Sequence, residues 1–218
     1  MANHDFVIGI PTMNRADLLV PTLEKYVKDF PNTKIVVIDN GFQEIPRNSE
    51  NVVIIRPKVN MGVACSWNII CDIGFMFTEN VLLVNDDIYL GYGEAQVKKA
   101  IQRNKVGLAQ SEHLWSVVLI NKALFQKVGY FDTLFYPAYC EDSDYMYRMK
   151  VMGMRHKILP ELNPKVVRHG MTMEKAQDYV QESLKVNRIR YAEKWGGLPL
   201  LETYTEPYNG KKTVSEYK

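Results

Sequence analysis

Three acidic side chains, Glu141, Asp142 and Asp144, fall within four positions of the segment YCEDSDYMYRM. Carboxylates this close repel one another, and burial beside the neighbouring aromatic and methionine side chains strengthens the repulsion. The cluster therefore needs a partner, which is a metal ion, a basic side chain or a proton to be moved. Asp144 precedes Arg148 by four residues, the spacing of an ion pair along a helix, and it also suits the first turn of a helix.

A second acidic group follows the apolar run at residues 81–84 and consists of Asp86 and Asp87, preceded by Asn85. Carboxylate oxygens are the ligands that a hard divalent cation prefers, so this triplet is the candidate metal site. The alternative is a pair of acids in a solvated turn.

Polar side chains also follow the other predicted strands of the first half. Ligands of an open α/β sheet bind at the carboxyl ends of its strands, so these positions are candidates for holding a ligand. They are Pro11, Thr12, Asn14 and Arg15 after the first strand, Asp39 after the second, and Asn60 and Gly62 after the third. The structural alternatives are helix capping by Thr12 or Asn14 and turn formation at Asp39 and Gly62.

The elements that must position these residues alternate along the chain. Nearly continuous apolar runs at residues 6–10, 34–38, 52–55 and 81–84 predict strands that are buried on both faces. Helical spacing at residues 17–30 and 63–77 completes the order β-α-β-β-α-β, which predicts an α/β domain with a mostly parallel central sheet. The second half predicts helices at 93–103, 142–152 and 173–195 and strands at 106–110, 116–120, 156–159 and 166–168.

The length of 218 residues suits one domain, predicted at residues 1–198, whose last long helix ends at Gly196-Gly197. Residues 199–218 are polar and turn-rich, which predicts a partly flexible C-terminal arm. The first residues lack a signal-peptide pattern and no apolar run reaches about 20 residues, which predicts a cytoplasmic protein without a transmembrane segment. A peripheral contact with a membrane stays open.

The charge is unevenly distributed. The net charge of +2 disfavours a dedicated nucleic-acid binder, yet residues 1–147 hold 13 Lys+Arg against 17 Asp+Glu and residues 148–218 hold 14 against 8. This asymmetry suits a cation site beside an anion site. No GxGxxG follows the first strand, and GxxxxGK[ST] and GxSxG do not occur, which disfavours a Rossmann site, a P-loop and a serine hydrolase. The three cysteines lack CxxC spacing, which disfavours a disulfide framework or a zinc site.

Six segments occur in the order seen in glycosyltransferase family 2. They are IGIPTMNRADLL, VVIDNG, NMGVACSWN, LLVNDDIYL, GYFDTLFYPAYCEDSDYMYRM and VVRHG. Over residues 6–195 the chain resembles a member of this family with a GT-A fold, close to its rhamnosyltransferase-like branch. The resemblance implies transfer of a sugar from a nucleoside-diphosphate donor of the UDP or dTDP type to a hydroxyl of a glycan or glycoconjugate acceptor. It also implies inversion at the sugar and a requirement for Mn²⁺ or Mg²⁺.

The resemblance also implies roles on the donor side. Asp39 binds the base, while the polar residues after the first strand, with Asn60 and Gly62, line the nucleotide sugar. Asn85 stands where the family has the first acid of an Asp-x-Asp motif, so one carboxylate is missing from the pattern. Asp87 takes the metal-ligand position, Asp86 contacts the ribose or a metal-bound water, and His169 is a second metal ligand.

On the acceptor side, the resemblance makes Asp142 the general base that takes the proton of the attacking hydroxyl, with Glu141 orienting the acceptor. Trp115 and His113 precede an apolar strand, where an aromatic ring can stack on a sugar. A tryptophan of the core is the alternative reading of Trp115.

Two other functions are consistent with the residues. A sugar-nucleotide pyrophosphorylase shares the α/β base and the metal acids, but the segment PTMNRADLL lacks the glycine-rich loop expected there. A non-catalytic module that binds a nucleotide or a glycan is the third possibility, and Asn85 is the residue that favours it.

Overall fold

The structure, a computed structural model, describes residues 5–46, 49–167 and 177–211, and it describes side chains for all of these except residues 177–180. His169 lies outside the described residues. So do the predicted end of the last strand at residue 168 and the predicted start of the last helix at residues 173–176.

A central sheet of seven strands has the order β3-β2-β1-β4-β7-β6-β8. Of these described strands, six run in one direction and β7 runs against them. The strands are β1 (Val7–Thr12), β2 (Lys34–Asp39), β3 (Val52–Ile55), β4 (Asn80–Val84), β6 (Leu108–Gln110), β7 (Val117–Asn121) and β8 (Lys157–Ile158). A separate antiparallel pair joins β5 (Ile88–Tyr89) to β9 (Val166–Val167). The prediction of an α/β domain with a mostly parallel sheet is confirmed.

Helices cover both faces of the sheet. They are α1 (Ala16–Asp29), α2 (Gly62–Gly74), α3 (Glu94–Arg103), α4 (Lys122–Val128), α5 (Glu141–Val151) and α6 (Gln177–Trp195), with short 3-10 helices at Pro160–Leu162 and Pro207–Gly210. The sequence pattern predicted neither β5 nor α4. Asn121 is the N-cap of the seven-residue α4, and its side chain accepts a hydrogen bond from the Ala123 amide at 2.9 Å.

The core consists of two layers, one on each face of the sheet. Successive residues of a strand point to opposite faces, so Ile35 and Val37 of β2 join one cluster while Val36 and Ile38 join the other. Helix α2 packs closely on β1, since a Cβ atom at Gly9 would lie 2.0 Å from the Ile70 side chain. The expectation of strands buried on both faces is thus met for β1, β2 and β4, whereas in the edge strand β3 only Val52 is buried and the next three residues are half-buried.

The segment after α6 folds back on the domain. The Thr203 amide donates to the Trp195 carbonyl at 3.1 Å, and the Tyr191 hydroxyl bonds Glu202 at 2.7 Å. The Tyr147 hydroxyl of α5 donates to the Tyr204 carbonyl at 2.7 Å. The chain past α6 therefore links α5 to α6. Among the described helices, none is long and apolar enough to cross a membrane.

Candidate functional site

The carboxyl ends of β2, β1 and β4 are adjacent, because these strands are neighbours in the sheet. This edge brings together residues that are far apart in the sequence. The Thr12 hydroxyl donates to Asp86 Oδ2 at 2.7 Å, and the Asn40 amide donates to the Thr12 carbonyl at 2.9 Å. Three of the predicted ligand-binding segments therefore form one continuous polar edge.

Asp86 is a half-buried acid in that edge. Burial raises its pKa to about 6; the neighbouring Asp87 also raises it, whereas the Thr12 hydrogen bond and the charge of Arg15 lower it. The side chain of Arg15 is 2% exposed and its Nε atom lies 3.2 Å from Asp17 Oδ1. A cation next to Asp86 and Asp87 would relieve the mutual repulsion of the two carboxylates.

Asp39 is fully buried and its carboxylate accepts four hydrogen bonds. The Gly41 amide and Gln43 Nε2 each lie 3.1 Å from Oδ1, while the Gln43 amide at 2.9 Å and Arg56 Nε at 3.0 Å reach Oδ2. A carboxylate has about four lone-pair sites, so all of them are in use. A base N–H reaches Asp39 only by displacing Gln43 or Arg56, and the predicted role of Asp39 in holding the base stays a prediction.

Asn60 and Gly62 form the turn that opens α2. Asn60 Oδ1 accepts from the Gly62 amide at 2.9 Å, and Asn60 Nδ2 lies 3.2 Å from Met13 Sδ. Gly62 has φ of +78°, and a Cβ atom there would lie 2.8 Å from the Pro137 carbonyl oxygen. Contact with the chain before α5 thus accounts for the glycine without any ligand.

The first turn of α5 carries the acid pair. Tyr139 and Cys140 both have left-handed φ angles, 76° and 72°, immediately before the helix. Glu141 is 5% exposed, and its Oε2 atom has no hydrogen-bond partner among the described residues. Burial raises the pKa of Glu141 well above its usual range, and the adjacent Asp142 raises it further.

Asp142 is half-buried and is oriented by the residue that follows it. The Ser143 amide and hydroxyl donate to Asp142 Oδ1 at 2.6 and 3.3 Å. Oδ2 receives no hydrogen bond from another described residue, so it is the oxygen that an incoming hydroxyl can use. Burial raises the pKa of Asp142, an effect that the bonds from Ser143 oppose. This arrangement suits a proton acceptor.

Asp144 has a different role from its neighbours. It is fully buried, and it pairs with Arg148 Nε at 2.9 Å and with Lys194 Nζ at 2.6 Å. Trp195 Nε1 donates to the same carboxylate at 2.8 Å. The predicted Asp144–Arg148 pair is present, and Asp144 joins α5 to α6 rather than facing the site.

An aromatic bridge connects α5 to the metal-candidate segment. The Asn85 amide donates to the Ser116 carbonyl at 3.1 Å. The neighbouring Trp115 stacks on Trp67 at 5.6 Å and meets the ring of Tyr145 on α5 edge-on at 6.3 Å. Trp115 therefore packs against the core. His113 is exposed, and acceptor binding by these two residues stays a prediction.

The candidate metal ligands are the carboxylates of Asp86 and Asp87 and the imidazole of His169. Among the described residues, no group of three or more His, Cys, Asp or Glu side chains is arranged to hold a metal ion. Asp86 and Asp87 provide two carboxylates at one strand end, which fits a hard cation that takes its other ligands from water and phosphate oxygens. His169, the predicted second ligand, lies outside the described residues.

Sequence reasoning missed the residues that support this edge. They are Gln43 and Arg56, which hold Asp39. Asn40, which follows β2 at the same edge, contacts Ser66 Oγ at 2.9 Å and the Met61 amide at 2.9 Å. Arg56 directly follows β3, so it could have been recognised by the criterion that identified the other candidates, a polar side chain at the end of a predicted strand. Left-handed φ angles at non-glycine residues, which are costly and collect at functional sites, also mark the surrounding loops. They occur at Asn14, Phe42, Trp115, Tyr139 and Cys140.

Comparison with known proteins gives structural but not sequence matches. No family model matches the sequence, and neither does any curated protein. A mannosyltransferase, PcManGT from Pyrobaculum calidifontis in complex with GDP-Man and Mn²⁺, matches with a TM-score of 0.59 and 15% identity, over 85% of this chain and 65% of its own.

Two further solved structures are similar. GalNAc-T7 with UDP, GalNAc and Mn²⁺ matches with a TM-score of 0.64 and 12% identity, over 87% of this chain and 47% of its own. TarS from S. aureus matches with a TM-score of 0.57 and 14% identity, over 74% of this chain and 36% of its own. The chain thus spans less than two thirds of the length of each, and at this identity the likeness concerns the fold alone. The mixed α/β architecture of this chain is that of the GT-A glycosyltransferases.

Proposed function

We propose that the protein is a glycosyltransferase that moves a sugar from a nucleoside-diphosphate sugar to a hydroxyl of a glycan or glycoconjugate acceptor. The observation that carries the proposal is the polar edge formed by Thr12, Asp39 and Asp86 at the ends of three adjacent strands. An open α/β sheet binds its ligands at this edge. Tyr145 of α5, the helix that carries the acid pair, contacts Trp115, and the neighbouring Ser116 carbonyl accepts a hydrogen bond from the Asn85 amide of the same edge.

The donor is proposed from the similar structures and the motif order together. One similar protein is in complex with GDP-Man and Mn²⁺ and another with UDP, GalNAc and Mn²⁺. The family 2 motifs, in the order of the rhamnosyltransferase-like branch, favour a UDP or dTDP donor that carries a hexose or deoxyhexose. Asp39 then receives the base after one of its present contacts, from Gln43 or Arg56, is released.

Asp87 is proposed as the carboxylate ligand of Mn²⁺ or Mg²⁺, with Asp86 beside it and His169 as the second protein ligand. The cation, when bound, neutralises the diphosphate and so makes it a better leaving group. The residues of the chain position the reactants. Thr12 fixes Asp86 through its hydroxyl, and Asn85, held by Ser116, keeps the turn in place.

Asp142 is proposed as the general base of an inverting reaction. Its free oxygen, Oδ2, accepts the proton of the acceptor hydroxyl while the hydroxyl oxygen forms a bond to the anomeric carbon. The bond from that carbon to the diphosphate oxygen breaks, and its electron pair leaves with the nucleoside diphosphate. Ser143 holds the other carboxylate oxygen, and Glu141, whose pKa burial raises, orients the acceptor.

The test is calorimetry of UDP and dTDP binding, with and without Mn²⁺. We expect one of the two nucleotides to bind, with an affinity that rises at least about tenfold in Mn²⁺, a gain of about 1.4 kcal/mol. Asp87→Ala should abolish the gain and keep the melting temperature, because the residue is half-buried in a turn after β4. Equal affinities of the parent and Asp87→Ala in Mn²⁺ would remove Asp87 from the metal site.

A non-catalytic binding module is the second candidate function. It is favoured by Asn85, which stands in place of the first acid of the metal motif. Such a module binds the nucleotide but releases no sugar from any donor. A donor-hydrolysis assay on the protein used for calorimetry separates the two candidates.

A further inference from the structure

An open groove of about 630 Å³ runs along α6. Its lining combines apolar and basic side chains. The lining includes Leu184, Ile189, Ala192 and Leu198 together with Lys185 and Arg188.

The two cations of the groove are available for a ligand. Lys185 and Arg188 are both exposed, and neither forms an ion pair with any other described residue. Lys194, further along the helix, is by contrast buried between Asp132 and Asp144, with each contact at 2.6 Å. Two exposed cations that form no ion pair with a described residue, beside apolar side chains, are complementary to an anionic group attached to an apolar chain.

The groove lies next to the helix that carries Asp142. Asn187 Nδ2 donates to the carbonyl oxygens of Ala138 at 2.7 Å and Tyr136 at 3.3 Å, so α6 is fixed to the chain just before α5. Arg188 is one residue further on. Its charge lowers the pKa of Cys140, a thiol whose pKa burial and the carboxylates of Asp142 and Glu141 raise to about 12.

We propose that this groove binds the acceptor, and that the acceptor is an anionic amphiphile whose phosphate-like group contacts Lys185 and Arg188 and whose apolar part lies on Leu184, Ile189 and Leu198. The inference rests on the proposed function, since it names the substrate class for the hydroxyl that Asp142 deprotonates. It also gives a site for the acceptor other than Trp115, which packs into the core.

The test uses octyl phosphate as the probe, with inorganic phosphate and octyl glucoside as the two partial ligands. We expect calorimetry to show saturable binding of octyl phosphate at one site, with inorganic phosphate and octyl glucoside each at least about tenfold weaker, because a hydrogen bond to a charged group and the burial of an alkyl chain are each worth that much. Inorganic phosphate binding as tightly as octyl phosphate would show an anion site without the apolar part and would overturn the proposal.

Variants locate the binding. The pair Lys185→Ala and Arg188→Ala should lower octyl phosphate affinity to that of octyl glucoside and leave UDP affinity unchanged. The pair Lys105→Ala and Lys127→Ala, which removes two equally exposed lysines elsewhere, should change neither. Unchanged octyl phosphate affinity in the first pair would refute the groove. A parent protein that sediments as a dimer, together with an Ile189→Ser variant that sediments as a monomer, would show that the groove is an interface between copies of the chain. That result would also refute the acceptor proposal. Failure of UDP to bind the parent, with octyl phosphate binding intact, would instead refute the proposed donor function.

Discussion

Replacing Asp144 by asparagine should destabilise the domain rather than impair its chemistry directly. Oδ1 of this fully buried residue accepts from Lys194 Nζ at 2.6 Å and from Trp195 Nε1 at 2.8 Å, and Oδ2 accepts from Arg148 Nε at 2.9 Å. Asparagine has the same size but offers one oxygen and one NH₂ group. One side of the network then has a donor facing a donor, and two cations lose the carboxylate that balances them.

The magnitude follows from the burial of the partners. Removing one partner of a buried ion pair costs about 3–5 kcal/mol. The Arg148 side chain is 18% exposed, and Lys194 keeps its contact with Asp132, so the lower end of that range applies. For a domain of this size, about 3 kcal/mol lowers the melting temperature by about 6–12 °C.

The assay is thermal unfolding followed by circular dichroism, with Asp142→Asn as the matched control. That variant makes the same chemical change two residues earlier on the same helix. Its carboxylate is half-buried and is bonded by Ser143 alone, so its melting temperature should change by less than about 2 °C. Equal melting temperatures for the two variants would refute the assignment of Asp144 to the structural network.

Three further predictions concern the chemistry. Asp142→Asn should lower kcat by about 10²–10⁴-fold and leave donor affinity unchanged, because it removes the proton acceptor and no donor contact; normal turnover would reassign the base. Burial raises the pKa of Asp142, so kcat should fall as the pH drops through that raised value, with the midpoint above the ordinary aspartate range near 3.9; a kcat that stays constant down to about pH 4 would contradict this. His169→Ala should shift the Mn²⁺ titration of turnover to higher metal concentration more than it weakens metal-free UDP binding, and identical Mn²⁺ titrations of variant and parent would exclude His169 as a ligand.

The parts of the fold that the sequence predicted are those with strong local signals. The strands β1, β2 and β4 are continuous apolar runs because both of their faces are covered, and the helices between them have clear amphipathic spacing. Their parallel order then placed Thr12, Asp39 and Asp86 at one edge before any contact was known. The two-residue strand β5 directly follows the turn at Asp86 and Asp87 and was missed, although the equally short β8 and β9 were predicted.

The contacts within the site depend on side chains that meet across long sequence separations. Asp39 has its four lone pairs occupied by Gly41, Gln43 and Arg56. The position of Arg56 at a strand end can be recognised in the sequence, but its pairing with Asp39, 17 residues earlier, cannot. Trp115 packs on Trp67 of α2. From the sequence alone, Trp115 was equally compatible with a core position and with stacking on a sugar ring. The Lys194 contact with Asp144 likewise requires that α6 return to α5, and that return is a property of the complete chain.

Sugar transfer from a nucleotide donor can be measured by incubating the protein with a panel of nucleoside-diphosphate sugars in Mn²⁺ and quantifying the nucleotide released. The proposed function predicts release of UDP or dTDP from at least one donor, with loss of that release in Asp87→Ala and its acceleration by an acceptor hydroxyl. Binding of UDP without release from any donor would contradict catalysis and support a binding module. Formation of a nucleoside triphosphate from pyrophosphate and the same donor would identify a pyrophosphorylase instead.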